Sequence, residues 1–257
     1  MVTAEATEAP KKEQQRKETL SESIAGFASV FVVGLFIITF VIQHFEIPSG
    51  SMENTLLIGD HVFVDRLVPT GKHGFPDFLM PYRELHRGEI AVFVSLAEPG
   101  LYLVKRIVGV PGDRIHLQDG KVYLNGVRQA EPYVLRDGSY DPYRDNFPAI
   151  SPLGDFQIRE QWAETLPGSI QNGDLVIPRG HYFAMGDNRD NSYDSRYWGF
   201  VPQQNIMGRP LFIAWSLKQD ESDFAPKAIG ERVTSFLSTA FHFFAITRWK
   251  RVMRLVH

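Results

Sequence analysis

Apolar positions dominate from Ile24 to Ile42, where the stretch IAGFASVFVVGLFIITFVI passes 19 residues without a charge. That is close to the roughly 20 residues an α-helix needs to cross a hydrocarbon core, so the pattern predicts one transmembrane helix over 24–42. A buried core helix would show the same run, whereas the apolar part of a cleaved targeting peptide is usually only about 7 to 15 residues long. Residues 1–23 are polar and mix Lys11, Lys12, Arg16 and Lys17 with Glu13, Glu18 and Glu22, the composition of an arm that buries no core. Four basic residues precede the span and none follows it until Arg66. Because basic residues resist translocation, the arm is expected in the cytoplasm and the body outside it.

Beyond the span the pattern changes to short β-branched and aromatic runs broken by turn pairs, with few stretches of helical period. The body should be mostly β. Asp119-Gly120 separates DRIHLQ from KVYLN, and Asn125-Gly126 follows closely. Both pairs tolerate the positive φ of tight primed turns, so they predict an antiparallel meander near 113–130. Between about 131 and 172 a Pro-, Asp- and Gly-rich region reads as irregular structure inserted between better-patterned strands, a cap subdomain expected over about 118–177. From 229 to 257, Ile229, Val233, Phe236, Leu237, Ala240 and Phe244 fall near one helical face, and Arg248, Lys250, Arg251 and Arg254 crowd the end. This predicts an amphipathic helix lying on a membrane, with a terminal helix packed on the β body as the competing reading.

Charge narrows the partners. Lys and Arg number 27 against 30 Asp and Glu, and a net charge of -3 offers no general footprint for nucleic acid. The chain has no cysteine, which excludes disulfides, thiolate nucleophiles and Cys-ligated zinc. It also lacks H-E-x-x-H, a Walker-type glycine loop and a G-x-S-x-G elbow, and its eight histidines show no metal-seating pair. No cofactor or metal is implied. A histidine-based serine triad stays open, since His61 or His181 could approach a serine in space.

Three stretches could carry chemistry. In PSGSM, Ser49 and Ser51 flank Gly50 where the chain turns into the strand HVFVDRL. By itself this is a turn whose hydroxyls bind backbone groups. As a site, it would aim a hydroxyl at a substrate, and such a weak nucleophile needs a base. In GLYLVKRIVGVPGDRI, alternation places Lys105 and Arg106 on opposite faces of one strand, so that one points inward. Burial would lower the pKa of a lysine and free its amine as a base, whereas a solvent-facing lysine on an edge strand would have no such part. In MGDNRDNSYDSRYWGFVP, charged and polar residues crowd between two apolar strands. The register does not fit a calcium loop, and the alternatives are a solvated loop or an ordered network in which each polar group is paired.

These stretches, with RGEIAVF at 87–93 and TLLIGDHVFV after PSGSM, closely resemble the ordered boxes of the bacterial type I signal peptidases, also called leader peptidases. The resemblance spans roughly 24–216 and is weakest over 131–172 and after 217. It implies Ser51 as nucleophile, Lys105 as general base, and an oxyanion hole formed by the Ser49 hydroxyl with the Ser51 N–H. It further implies Ser192 as the residue orienting the lysine, Asp194 and Arg196 as a supporting ion pair, and Asp187 as a further structural acid. Asn54 departs from the pattern, standing where many members have proline.

The expected architecture is therefore a cytoplasmic arm over 1–23, a transmembrane helix over 24–42, an extracytoplasmic antiparallel β catalytic domain over 43–217 and a basic tail over 218–257. The resemblance implies a single-pass serine endopeptidase of a bacterial cytoplasmic membrane. Its partners would be preproteins bearing signal peptides and the membrane lipid, with neither nucleic acid nor metal. A self-cleaving Ser-Lys peptidase of repressor type and an inactive anchored scaffold that binds extended peptides are the rivals.

Overall fold

The computed structural model describes residues 20–66, 84–98, 100–148, 158–225 and 228–257, so nearly all of the arm expected over 1–23 lies outside the described residues. The chain divides into two compact units, Met1–Thr39 and Phe40–His257.

In the first unit, α1 (Leu20–Phe36) continues through a π-helical stretch, Ile37–Val41. Its segment Ser21–Thr39 has a mean hydropathy of 2.0 and none of it is buried inside the protein, so it is long and apolar enough to cross a membrane. The helix starts earlier than the apolar run, with Glu22 in its first turn, where an acidic side chain complements the helix dipole. It also stops sooner, because Ile42 is drawn into strand pairing opposite Asp65.

The second unit is mostly β. Its strands are β1 (Ile42–Glu46), β2 (Asp60–Asp65), β3 (Ile90–Val94), β4 (Tyr102–Gly109), β5 (Arg114–Gln118), β6 (Lys121–Leu124), β7 (Val127–Arg128), β8 (Ile170–Gln171), β9 (Asp174–Val176), β10 (His181–Met185), β11 (Val201–Pro202) and β12 (Ile206–Ser216). They form a seven-stranded sheet in the order β1-β2-β12-β3-β4-β10-β11 and a five-stranded sheet in the order β7-β6-β5-β9-β8. The pairings within these sheets are antiparallel. Both hairpin signals take the expected form: Asp119 and Gly120 have φ of 48° and 70°, Asn125 and Gly126 φ of 52° and 79°, and each pair closes a two-residue turn.

Alternation along β4 sends neighbouring side chains into different cores. Ile107 joins a cluster with Ala91, Phe93, Ala184 and Ile206, whereas Val108 joins one with Ile115, Leu175, Phe183 and Met185. The second of these clusters also takes in Tyr143, Phe147, Trp162 and Leu166. The described part of the region 131–172 is thus more ordered than its composition suggests. It contributes α2 (Pro142–Asp145) and α3 (Glu160–Ser169), while residues 149–157 lie outside the described part. Asp141 caps α2 by accepting from the Arg144 N–H, with proline in the first turn, which explains a helix inside a Pro- and Asp-rich stretch.

The tail is only partly helical. After α4 (Ser195–Trp198), α5 (Ile229–Ile246) ends eleven residues before 257, and the remainder makes a single 3₁₀ turn at Trp249–Arg251 and then runs beside β12. The side chains of Ile229, Val233, Phe236, Leu237 and Ala240, on the face predicted to be apolar, lie outside the described residues. Arg248 and Arg251 face the β body rather than solvent, since each donates to backbone carbonyls of the 55–58 stretch.

Candidate active site

The turn between β1 and β2 is a 3₁₀ helix at Gly50–Met52 with Ser49 in extended backbone before it. Met52 and Leu56 are buried in a cluster with Val62, Ile90 and Ile213, which anchors the turn, and Ser51, just before Met52, is half-buried. The Ser51 N–H falls in the first turn, where a helix has no internal acceptor to offer it. The Ser49 hydroxyl is exposed and lies 3.5 Å from Ser51 Oγ.

Lys105 reaches this turn from β4 and donates from Nζ to Ser51 Oγ. Only 3% of Lys105 is exposed. Burial is the main influence on its amine and lowers the pKa from 10.5 to about 8, opposed by the negative charge of Asp194 and aided by Arg196. At pH 7 about one molecule in ten then carries the neutral amine, against roughly one in 2,500 for an unperturbed lysine. Alternation did not leave the neighbouring side chain in solvent. Arg106 is equally buried and clasps Asp187 with Nε–Oδ1 at 2.8 Å and Nη2–Oδ2 at 2.6 Å. Asp187 also accepts from the Thr55 hydroxyl at 2.5 Å, which fastens the serine-bearing turn to the loop after β10.

That loop is the ordered network that pairing requires. Asp194 and Arg196, both without exposed surface, form two contacts of 2.8 Å, and Asp194 caps α4. Burial alone would raise the Asp194 carboxyl, but the guanidinium of Arg196 and donors including the Gly186 N–H hold it below the usual carboxylate range. Arg189 pairs with Glu131 at 2.5 Å, and Asp190 with Arg136 and Arg144 at 3.2 Å. Ser192 is buried beside Asp194 and favours its ionised form, yet its Oγ meets the geometry of a hydrogen bond with no described group. A Ser192–Lys105 bond is therefore not among those formed, and the lysine is engaged with Ser51 instead. Gly186 lies so close to the Ser51 carbonyl and to Ser192 that a Cβ there would collide with both.

Three contacts to the turn had no signal in the sequence pattern. Asn188 donates to the Gly50 carbonyl from its side chain at 3.2 Å and to the Ser51 carbonyl from its backbone at 3.2 Å. Glu221 accepts from the Gly50 N–H at 3.2 Å. Arg106 was legible only as the strand neighbour of Lys105 on the opposite face, and its burial is what makes a nearby carboxylate necessary. Asn54 adopts φ 85°, in the left-handed region, and its side chain donates to the Tyr133 carbonyl at 2.9 Å. Proline, locked near φ −65°, could not take this conformation, so the departure at 54 goes with a distinct local backbone.

The two histidines weighed as bases are engaged elsewhere. His61 Nδ1 lies 3.0 Å from His44 Nε2, and burial lowers its pKa to about 4; His181 Nδ1 lies 3.0 Å from the Arg179 carbonyl. Among the described residues no group of three or more His, Asp or Glu side chains is gathered as for a metal ion.

A serine hydroxyl held by a buried lysine with a lowered pKa, at the edge of an antiparallel β body, is an arrangement able to support acyl transfer. The model of the family described as signal peptidase, peptidase S26, matches residues 20–215, and the chain belongs to that family. It is 33% identical over 218 residues to the signal peptidase I of Pseudomonas fluorescens, covering 78% of this chain and 74% of that protein. To the signal peptidase I of Buchnera aphidicola it is 30% identical over 253 residues, covering 83% and 81% respectively. A crystal structure of a signal peptidase I from Enterococcus faecalis matches at 30% identity with a TM-score of 0.37, covering 49% of this chain and 97% of that one.

Proposed function

We propose that the chain is a membrane-anchored serine endopeptidase that removes signal peptides from exported preproteins by a Ser-Lys mechanism. The observation that carries this reading is the hydrogen bond from the buried Lys105 amine to Ser51 Oγ. Neutral Lys105 takes the Ser51 proton as Oγ attacks the scissile carbonyl. The resulting oxyanion is held by the Ser51 N–H and the Ser49 hydroxyl, donors worth about 3 kcal/mol each where measured in other serine peptidases. Protonated Lys105 then gives its proton to the leaving amine, and the same lysine, neutral again, activates the water that hydrolyses the ester. Asp194 and Arg196 keep the loop and the lysine in place, Ser192 lines the lysine's surroundings and orients it when it turns from Ser51, and Asp187 ties the turn to Arg106.

The membrane parts of the reading are carried by sequence. Residues 24–42 anchor the chain once, with 1–23 in the cytoplasm and 43–217 outside as the catalytic domain, because the basic residues precede the span. Ser51 stands nine residues beyond Ile42, which tethers the nucleophile near the depth at which a signal peptide leaves the bilayer. Residues of about 118–177 form a cap built on the second sheet. In the tail over 218–257, exposed Phe241, Phe244, Trp249 and Met253 with exposed Lys250 and Arg254 meet lipid.

The test is cleavage of a purified preprotein by the wild-type chain and by Ser51→Ala. Turnover by the first and none by the second is expected; binding without turnover by either would favour a peptide-binding scaffold.

A further inference from the structure

Residues 247–257 are built into the flank of the serine-bearing turn. Beyond α5 they run along β12: the Arg248 N–H donates to the Ser216 carbonyl at 2.8 Å, the Met253 N–H to that of Ile213 at 2.7 Å and the Val256 N–H to that of Leu211 at 3.0 Å. The Ile213 N–H returns a bond to the Arg254 carbonyl at 2.9 Å. β3 pairs only with the Ile206–Gly208 end of β12, so this segment occupies the flank that β3 leaves open. Val256 packs against the apolar cluster holding Met52 and Leu56.

From this segment Arg251 reaches into the turn. Asp60 has no exposed surface, and its carboxylate accepts from Arg251 Nη2 at 2.5 Å and Nε at 3.2 Å, from the Leu57 N–H at 2.8 Å and from the Ser216 hydroxyl at 2.5 Å. Arg251 Nη2 also donates to the Thr55 carbonyl at 2.9 Å. One guanidinium therefore joins both ends of the stretch from Thr55 to Asp60. The Thr55 hydroxyl continues the chain of contacts to Asp187, which Arg106, next to Lys105 on β4, clasps in turn. Arg248 Nη1 lies farther off, 3.9 Å from the same carboxylate, and donates to the Ser216 hydroxyl, so loss of Arg251 removes the cation hydrogen-bonded to Asp60 and leaves a weakly compensated buried charge, a cost the stretch can relieve by moving toward water.

We propose that Arg251 is a positioning residue for the reaction: through Asp60 and the Thr55 carbonyl it fixes the turn that carries Ser51 in register with Lys105. The inference rests on the Ser51–Lys105 reading. A lysine at 251 restores the charge but, as a single ammonium on a flexible stem, does not reproduce the planar fork that spans both acceptors. A misplacement of about 1 Å at a reacting atom costs on the order of 100-fold in rate, so the effect belongs in turnover rather than in substrate binding.

The test uses the full chain in detergent micelles with a preprotein substrate, measuring kcat and KM separately and normalising to the folded fraction. Arg251→Gln is expected to lower kcat per folded molecule about 10- to 100-fold with KM little changed, and Arg251→Lys to recover part of the loss. Arg251→Gln should cost less in an Asp60→Asn background than in the wild type, because the carboxylate contacts are already weakened and the Thr55 carbonyl contact is the main one left to lose. Wild-type kcat per folded molecule in Arg251→Gln, a loss confined to KM, or no recovery with lysine would overturn the proposal. Ser51→Ala and Lys105→Met run beside these variants. Activity in either removes the dyad on which the proposal rests, whereas inactive dyad variants with a fully active Arg251→Gln remove the positioning role alone.

Discussion

Lys105 shows how a single buried amine links stability to chemistry. The unfolded chain holds this proton up to about pH 10.5 and the folded chain only to about 8, so between those values the unfolded state binds more protons and stability rises with pH. Below pH 8 the cost is present in full, on the order of 3 kcal/mol. Lys105→Met is expected to be inactive yet more stable than wild type at pH 7, with the gap closing toward pH 10.5 in denaturant titrations. Equal stability at both pH values would mean that the amine is not desolvated. The oxyanion assignment predicts that Ser49→Ala loses activity less completely than Ser51→Ala, since the backbone donor remains; an unchanged cleavage rate would dismiss Ser49. From residue types alone PSGSM read as a turn and Lys105 equally as an edge lysine; the choice of Ser51 and Lys105, and of Asp194 with Arg196 as a supporting pair, came from the resemblance to the signal peptidases. The clasp of Thr55 by Asp187 joins residues 132 apart, and Asp60 with Arg251 joins residues 191 apart. A single sequence shows residue types along the chain and carries no trace of which distant partners meet.

The serine turn is the element on which the site depends, and two substitutions probe its backbone. Asn54→Pro is expected to destabilise the protein by about 3 kcal/mol or more, because proline cannot adopt φ 85°, whereas Asn54→Gly should cost far less. Thermal melting of the two variants distinguishes them, and equal midpoints would contradict the observed turn. Gly186→Ala should cut cleavage strongly, since the added methyl meets the Ser51 carbonyl and Ser192. Hairpins at 119–120 and 125–126 could be read directly, because a positive φ at both central positions demands such residues. The inserted region could not. Tyr143, Phe147, Trp162 and Leu166 enter a buried core from a stretch whose Pro and Asp content reads as loop, since their partners come from β5, β9 and β10.

In the molecule as a whole the tail divides between the β body and solvent. Of the four basic residues that suggested a lipid-facing end, Arg248 and Arg251 serve the β body and only Lys250 and Arg254 are exposed. Charge reversal at Lys250 and Arg254, with Phe241, Phe244 and Trp249 replaced by Ser, should weaken binding to anionic vesicles by a chain lacking its anchor, while leaving the Asp60 contacts in place. Unchanged binding would favour a tail whose part is confined to packing. A helix was legible over α5, but its end was not, because the chain leaves the helix to pair with β12 in a register that no local signal announces.

The most direct measurement of the central claim is the pH dependence of preprotein cleavage at low substrate by the detergent-solubilised chain. A lysine acts as base only when neutral, so the account predicts a rate that rises along a single limb centred near pH 8, with an optimum on the alkaline side of neutrality and no activity in Lys105→Met. A limb at about pH 6.5 that persisted in Lys105→Met and vanished on replacing His61 or His181 would make histidine the base and contradict the Ser-Lys account.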